Sequence, residues 1–593
     1  MRMRRTKEKA IDGQLSDRII LQWFRRLLPA QILSSVTTAL SSIVNGLMIG
    51  NLLPAEAMVA LGFVVPMTAM LGAVAAVISG GGRVICGQYM GRGEPDRLND
   101  VFKAVIIMSL VIGGALSAVG LLFSEPLARL FGAVGETTAA TAEYIRGLSL
   151  GIIPTLMVPG LMVLLQMINQ IGYAFSSSLV LAGTILLCGL INVKVFHGGI
   201  WGMGAANSAA QLITMLFLLF RFSQKKLMRF GKRKGNRGLY KKMLTLGSPI
   251  AFANLLYALR NTVINSMLLR WCGTEAITSM AILSSAMGPF DALNIGVAST
   301  ALILASIFAG EKDDRSMALL MKVSFRVGLI CAFAKLAVLA AGGKWLAMLF
   351  GARGTLISDT YLLIVIYSIS TPLNMIVMSI LSAHQALGRV KLSNTVYFFN
   401  AFFFPLVWLF ATGSGMNLPL ILLLYFMAEV FTLILLFAVS CKKQKRFPKT
   451  IADWLWMEDS KELHRFSLSL YGIGQVSLVS EQLSAFCLSH GIDRRRSNLC
   501  GLCAEEMTGN VVTHGFSGSK RTDLVVDVFA CCEGDRVTLR IRDNAPVFDP
   551  CARLEAFDPN DPCKNVGIRM VSVIAKEMNY QTCFGLNVLS IKL

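Results

Sequence analysis

Long apolar stretches recur along the chain from Ala30 to Ser440, separated by short polar segments. A helix needs about 20 apolar residues to cross a hydrocarbon core roughly 30 Å thick, and a lone segment in lipid must satisfy its own backbone hydrogen bonds. The pattern therefore predicts transmembrane α-helices. Twelve such stretches begin near residues 30, 58, 102, 146, 176, 200, 246, 277, 319, 359, 392 and 418.

Alternate loops between these stretches are basic, as in Arg92–Lys103 and Lys312–Lys322, whereas Asn51–Ala57 and Thr412–Leu418 are nearly free of Lys and Arg. Cytoplasmic loops retain positive charge, so both termini are predicted to be cytosolic. Composition agrees, because 54% of the residues are hydrophobic, 15% are charged, and the net charge of +21 sits in short loop runs. We expect a multi-pass protein of the cell membrane that contacts membrane lipids and does not bind nucleic acid.

The apolar region contains an internal repeat. Ile43–Asn45 returns as Val263–Asn265, and Leu127–Ala133 returns as Leu346–Ala352, at a spacing of 219 or 220 residues. Matches in one order at one spacing indicate a duplicated unit. Because six helices is an even number, the two copies enter the membrane with the same orientation, and transporters built this way have their substrate path between the copies.

These patterns predict a polytopic all-α membrane protein with two parallel six-helix repeats, followed by a cytosolic α/β-sandwich domain. The predicted domains are a basic cytosolic arm (1–26), a first six-helix lobe (27–222), a basic linker (223–243), a second six-helix lobe (244–440), a second basic linker (441–454) and the soluble domain (455–593).

Ionisable residues inside predicted helices are the candidates for coupling chemistry, since an unpaired charge there costs about 3 kcal/mol on insertion scales. They are Asp291, Glu429, Arg260 and Lys335. Asp291 and Glu429 are each able to carry a proton or ligate sodium. The competing interpretation is that one of them forms a structural buried pair with Arg260, or lies close enough to a membrane interface to stay hydrated.

The segments Val44–Gly50, Met90–Glu94 and Phe123–Ala133 resemble the multidrug and toxic-compound extrusion (MATE) family over about residues 20 to 440. The resemblance implies Na⁺- or H⁺-coupled antiport of organic, often cationic, compounds through a central cavity. Many bacterial members place a carboxylate on the first helix where this chain has Asn45, so first-helix proton coupling is not expected. Asn45 and its repeat partner Asn265 are expected to line the cavity. Other relatives flip lipid-linked saccharides, which leaves a second alternative.

The last 140 residues or so have ordinary soluble composition, and their patterns predict helices and strands. The predicted helices are Val476–His490, Ser497–His514 and Gly567–Met578, and the predicted strands are Asp523–Ala530, Arg536–Asp543 and Asn587–Lys592. The second helix carries Glu506, Asn510 and His514 at spacings of four, so they emerge on nearly one face. A carboxylate and an amide so placed are able to position a water and a divalent cation beside a nucleotide.

Glu506–Gly515, followed by Ile541–Pro550 and Asn565–Val571, resembles the Bergerat-fold ATPases, in particular the anti-sigma-factor serine kinases. The resemblance implies ATP with Mg²⁺ and a layer of helices over a mixed sheet. It assigns Asn510 to magnesium, Glu506 to orienting a water or the acceptor, and Asp543 to the adenine amino group. Gly567 and Lys564 would lie beside the phosphates, where a helix N-terminus favours anions. Ala545 departs from the family, which usually has Gly at that position.

Two functions follow from these patterns. The first is a cation-coupled exporter of organic compounds whose tail senses nucleotide or docks a cytosolic regulatory protein. The alternative is a membrane-tethered serine kinase or partner-switching sensor whose helices have lost transport.

Overall fold

The computed structural model describes residues 2–53, 55–224, 237–413, 418–456, 463–516, 523–555 and 565–593. The α-helices in these ranges are α1 (Arg2–Leu52), α2 (Ala55–Gly91), α3 (Leu98–Leu122), α4 (Ser124–Leu130), α5 (Glu136–Ser149), α6 (Ile152–Met167), α7 (Ile171–Ile191), α8 (Gly199–Gln224), α9 (Arg237–Glu311), α10 (Asp314–Leu349), α11 (Leu356–Ala386), α12 (Val390–Phe398), α13 (Phe404–Thr412), α14 (Leu418–Leu422), α15 (Leu424–Gln444), α16 (Ile451–Trp454), α17 (Val476–Ser489), α18 (Arg494–Asn510), α19 (Pro550–Glu555) and α20 (Val566–Ile574). The strands are β1 (Leu463–Leu470), β2 (Val526–Glu533), β3 (Arg536–Asp543), β4 (Glu577–Cys583) and β5 (Leu586–Lys592).

The apolar stretches form a multi-pass helical domain. Within the described residues, ten helices are long and apolar enough to span a membrane, and the α5–α6 pair, bent by 46°, makes an eleventh. Helix α9 is broken at Gly273, where φ is 78°. Its first part, residues 237–272, is helical but is not among the ten. That part carries polar side chains, including Asn254 and Arg260, which reduce its hydropathy.

The two copies of the repeat share local backbone geometry. Gly132 and Gly351 both have positive φ, at 102° and 97°, directly after the repeated Leu-Phe segment. Gly135 and Gly354 are likewise both at 59°. Equivalent turns therefore recur at a spacing of 219 residues, which supports the duplication read from the sequence.

The two lobes pack closely at the end that carries the loops Arg92–Arg97 and Lys312–Arg315. A Cβ at Gly91 would overlap the carbonyl oxygen of Ile307, and one at Gly310 would overlap that of Gln88. Small residues of this kind let two helix backbones approach in a membrane. Helices α2 and α9 are therefore in backbone contact at this end.

The tail is a five-stranded sheet in the order β1-β2-β3-β5-β4, covered on one face by α17, α18 and α20. All four strand pairings are antiparallel, so the mixed sheet implied by the resemblance is corrected for the described strands. Strands β1 and β4 were not predicted. The last helix ends at Ile574 and β4 begins at Glu577, so the predicted helix to Met578 was too long.

Candidate functional site

A cavity of about 440 Å³ lies in the second lobe. Four asparagines, four tyrosines and four charged residues are among its lining groups: Asn254, Asn294, Asn374, Asn400, Tyr257, Tyr367, Tyr397, Tyr425, Arg83, Arg260, Asp291 and Glu429. Most come from α9, α11 and α15, but Arg83 belongs to α2 of the first lobe. The cavity therefore reaches the boundary between the two lobes.

Glu429 is buried on α15 and is held by neutral donors. Asn374 Nδ2 donates to Oε1 at 2.8 Å, and Asn400 Nδ2 donates to Oε2 at 3.0 Å. Asn400 also donates to Thr432 Oγ1 at 3.0 Å, which fixes the amide orientation. Among the residues that the structure describes, no cation forms an ion pair with this carboxylate.

Asp291 is bound by Lys335 and not by Arg260, the cation that the competing interpretation had named. Lys335 Nζ lies 2.7 Å from Asp291 Oδ1, and the lysine side chain is 0% exposed. Tyr367 donates its hydroxyl to the other oxygen of Asp291 at 3.0 Å. Arg260 instead donates to Asn261 Oδ1 and stacks near the ring of Tyr425. The structural pair involving Arg260 is therefore corrected to Asp291 with Lys335.

Arg83 is a lining residue that the sequence analysis missed. It lies in the middle of an apolar run on α2, so the same rule that selected Asp291 would have found it. Its Nε is buried without a hydrogen-bond acceptor. This position places a guanidinium of the first lobe beside the cavity of the second.

Asn45 and Asn265 occupy different environments despite their equivalent places in the repeat. Asn45 Nδ2 donates to the hydroxyl of buried Tyr144 at 3.4 Å. Asn265 is exposed, and neither asparagine is among the described residues that line the second-lobe cavity. Their assignment to a transport pathway stays a prediction.

The tail brings Glu506 and Gly567 into contact. A Cβ at Gly567 would overlap Oε2 of Glu506, so the carboxylate lies directly against the start of α20. Asn510 lies one helical turn beyond Glu506, at the end of α18. Lys564 is outside the described residues. The two predicted polar residues of α18 thus share a face close to the predicted phosphate-side glycine.

Asp543 ends β3 on the same side of the sheet. Its Oδ1 accepts hydrogen bonds from Asn587 Nδ2 at 2.7 Å and from the Ala545 backbone N–H at 3.0 Å. Burial raises the pKa of Asp543 to about 6, against the opposing effect of these donors. Asn587, on β5, orients the carboxylate and was not predicted. Ala545 faces Gly515, where a Cβ would lie only 2.9 Å from the alanine methyl.

The opposite face of the sheet docks on the second lobe through charged groups. Arg542 forms ion pairs with Glu311 and, at 2.9 Å, with Asp313. Burial alone raises a carboxyl pKa, but Arg542 and the Ser316 N–H outweigh it and hold the pKa of Asp313 below its usual value. Further contacts come from Arg465 with Asp314 at 2.5 Å, Lys312 with Glu533 at 2.8 Å, and Arg315 with Ser467 at 2.5 Å.

The first lobe contacts the same face through neutral hydrogen bonds to the β4–β5 hairpin. Asn579 Nδ2 donates to the Gly93 carbonyl at 3.1 Å, and Gln581 Nε2 donates to the Met90 carbonyl at 2.9 Å. Trp23 Nε1 of α1 donates to the Cys583 carbonyl at 3.0 Å. The sheet therefore spans both lobes, with β1–β3 on the second and the β4–β5 hairpin on the first.

A helical membrane domain with a polar cavity at a lobe boundary defines a transporter-type membrane protein. The MatE family model matches residues 30–191 and again 249–409, together more than half of the chain. The chain belongs to the MatE family. The histidine kinase-like ATPase domain model matches residues 473–593. The protein is thus a multi-pass MATE transporter that carries a C-terminal histidine kinase-like ATPase domain.

Curated relatives are distant. The chain is 23% identical over 296 residues to an FAD transporter of Shewanella oneidensis, covering 46% of this chain and 62% of that protein. It is 22% identical over 312 residues to the probable multidrug resistance protein YoeA of Bacillus subtilis, covering 50% of this chain and 65% of that protein. The match spans less than two thirds of each relative's length.

Solved structures share the fold of the membrane domain. An outward-facing multidrug resistance MATE family transporter of the MOP superfamily superposes with a TM-score of 0.67 at 16% identity, covering 70% of this chain and 94% of that one. A MOP superfamily transporter from Pyrococcus furiosus superposes with a TM-score of 0.66 at 17% identity, covering 72% and 96%.

Proposed function

We propose that the protein is an antiporter that exports organic compounds and is driven by Na⁺ or H⁺. The observation that carries this proposal is the environment of Glu429. A carboxylate buried in a membrane is costly unless it is paired or takes up a cation. Glu429 is held only by amide donors in the described part of the chain, so it is available for a proton or a sodium ion.

The second carboxylate of the cavity has a different role in this proposal. Asp291 is already neutralised by Lys335 at 2.7 Å. A coupling cation at Asp291 would have to displace the lysine, whereas no cation of the described residues forms an ion pair with Glu429. Glu429 is therefore the coupling residue, and Asp291 with Lys335 and Arg260 shapes the cavity.

Reconstituted protein tests this function. Proteoliposomes with an imposed pH or Na⁺ gradient would be loaded with ethidium or carboxyfluorescein as organic probes. We expect gradient-driven movement of at least one probe that Glu429→Gln abolishes, because an amide does not take up a proton or balance a sodium ion. Asp359→Asn, an exposed carboxylate at the start of α11, is the matched control. Movement that ignores both gradients, or that persists in Glu429→Gln, would refute the proposal.

The topology in this proposal has twelve spans in two parallel repeats. Residues 237–272 supply the twelfth, since Asn254, Tyr257 and Arg260 of this part line the cavity. The protein lies in the cell membrane with both termini cytosolic. The family and the relatives named for multidrug resistance favour drug-like, often cationic, substrates. Lipid-linked saccharides remain the alternative substrate class.

For the tail we propose ATP binding with Mg²⁺. Asn510 would hold the metal, Asp543 would accept from the adenine amino group, and Gly567 with Lys564 would lie beside the phosphates. The contact between Glu506 and Gly567 supports this arrangement. It places the carboxylate at the start of α20, close to where the terminal phosphate of a bound nucleotide would lie. Equilibrium binding of a fluorescent ATP analogue to the full-length protein, with Asn510→Ala as the variant, tests it. Equal affinity in the two proteins would remove the assignment.

We further propose that the tail regulates transport by holding the two lobes together. One rigid sheet bonds to Met90 and Gly93 of the first lobe and to Glu311 and Asp313 of the second. These loops lie at the end where α2 and α9 touch. Separation of the lobes at this end must break one set of contacts. The neutral bonds to the first lobe are the weaker set, so the β4–β5 hairpin is the part that releases.

The alternative function is a membrane-tethered serine kinase or partner-switching sensor. Glu506 beside the predicted phosphate site favours it, because a carboxylate there is able to orient an acceptor hydroxyl. Incubation of the full-length protein with labelled ATP and serine-containing partner proteins tests it, with Glu506→Gln as control. Label transfer that depends on Glu506 would support the kinase, and its absence together with active transport would exclude it.

A further inference from the structure

The second-lobe cavity holds an excess of positive charge. Arg83 and Arg260 line it together with Asp291 and Glu429, and Lys335 Nζ lies 2.7 Å behind Asp291. Because Lys335 neutralises Asp291, Arg83 and Arg260 face one remaining carboxylate, Glu429, among the described lining residues. Within a membrane domain an uncompensated charge is costly, so a site of this kind favours an occupant of opposite sign.

Arg83 is the residue that most needs a partner. Among the described residues, no carboxylate forms an ion pair with it, and its Nε is buried without an acceptor. A buried polar atom without a partner calls for an explanation, and a ligand that the chain itself does not supply is one. The guanidinium also stands at the boundary of the lobes, where a transported molecule must pass.

Arg260 is the second lining cation that forms no ion pair with a carboxylate of the described residues. Its guanidinium lies 5.0 Å from the ring centre of Tyr257 and 5.1 Å from that of Tyr425, and Nε and Nη2 share the single oxygen of Asn261. Aromatic faces and a neutral amide orient the guanidinium without neutralising it. A planar guanidinium held in this way matches the oxygen atoms of a carboxylate or a phosphate.

We propose that the substrate carries an anionic group, a carboxylate or phosphate, bound between Arg83 and Arg260. Its apolar or aromatic body packs among Tyr257, Tyr367 and Tyr425, which line the same cavity. The proposal rests on the transport function for the movement of this substrate, but the anion site itself does not depend on it. It replaces the organic cations that the family resemblance suggests with organic anions.

Direct binding tests the site. Carboxyfluorescein and ethidium, an aromatic anion and an aromatic cation, would be titrated into the purified full-length protein in nanodiscs and followed by fluorescence anisotropy. We expect carboxyfluorescein to bind, and Arg83→Gln and Arg260→Gln each to weaken it by roughly tenfold, as loss of a charge-assisted contact should. Arg83→Lys keeps the charge and should retain part of the affinity. Arg353→Gln, an exposed arginine between α10 and α11, should leave it unchanged.

Three outcomes would overturn the proposal: no binding of carboxyfluorescein, binding of ethidium alone, or unchanged carboxyfluorescein affinity in both glutamine variants with unchanged melting temperatures. If the protein binds the anion but no gradient drives transport, the anion site stands and the antiporter function is refuted. If a gradient drives ethidium transport and the anion does not bind, the antiporter function stands and the anion site is refuted. Translocation of a fluorescent phosphatidylglycerol in the proteoliposomes of the transport test, if it depends on Arg83, would support the site and identify a lipid phosphate as the anion.

Discussion

Arg542 of the tail and Asp313 of the second lobe form an ion pair in which both side chains are buried. The Nη2 and Oδ2 atoms are 2.9 Å apart, and each side chain is 3% exposed. The next residue, Asp543, points to the opposite face of the sheet because successive side chains of a strand alternate. One strand therefore connects the membrane domain with the predicted nucleotide site.

Loss of this ion pair should detach the tail. Arg542→Gln leaves Glu311 and Asp313 buried without their cation, which typically costs roughly 3 to 5 kcal/mol. We expect a lower melting temperature and faster hydrogen exchange in β1–β3. Arg536→Gln, at the exposed start of the same strand, is the control. If Arg542→Gln exchanges as slowly as the control, the docked arrangement is wrong.

Weakening the hairpin contacts should release only the first lobe. Asn579→Ala with Gln581→Ala removes two neutral hydrogen bonds, so the hairpin should open roughly tenfold more often or more. Hydrogen exchange should rise in β4–β5 and in the Met90–Glu94 loop while β1–β3 stay protected, and transport should become faster. Gln482→Ala, on the exposed side of α17, should change neither. Slower transport in the double variant would contradict the regulatory proposal.

The pKa of Asp543 predicts a pH effect on the tail. The folded-state pKa is about 6 against an ordinary value of 3.8, so the folded protein binds the proton more tightly than the unfolded chain. The tail should thus lose stability as pH rises from about 4 through 6, by about 3 kcal/mol in total.

Asp543→Asn should remove this part of the pH dependence and raise the melting temperature at pH 7. It should also weaken adenine nucleotide binding, because the ionised carboxylate accepts from the amino group. In the wild-type protein, nucleotide affinity should fall as pH drops below about 6. A flat affinity profile from pH 5 to 8 would speak against the adenine role.

Gly567→Ala should impair nucleotide chemistry in the tail while leaving the tail folded. The new Cβ would overlap Oε2 of Glu506, which lies at the end of a flexible side chain. Glu506 should rotate away at a stability cost of about 1 kcal/mol. We expect a melting temperature lower by only a few degrees but loss of any ATP turnover. Turnover at the wild-type rate would show that Glu506 does not need its present position.

Local sequence patterns were sufficient to predict those features of the fold that depend on neighbouring residues alone. A run of about 20 apolar residues is enough to identify a membrane-spanning helix, so the multi-pass helical domain was predicted, and ten of its twelve predicted spans, with a bent eleventh, are found in the described residues. The family membership was predicted from the resemblance of short motifs and is confirmed. The internal repeat was also recognisable from sequence, because the residues around the duplicated turns at Gly132 and Gly351 are similar in the two copies. Strands β1 and β4 were missed and the helix before β4 was made too long, since the stability of a short strand depends on partner strands far along the chain.

The contacts within the site came only from the tertiary structure. The sequence identified Asp291 and Lys335 as charged residues in helices but did not pair them, because they lie 44 residues apart on two different helices. Asn587 has no local signal that would relate it to Asp543. The docking of one sheet across both lobes is likewise invisible in the chain, since Arg542, Glu311 and Gly93 meet only after three separate elements have packed. Hydrophobic periodicity determined which segments enter the membrane, and long-range packing decided which charges meet.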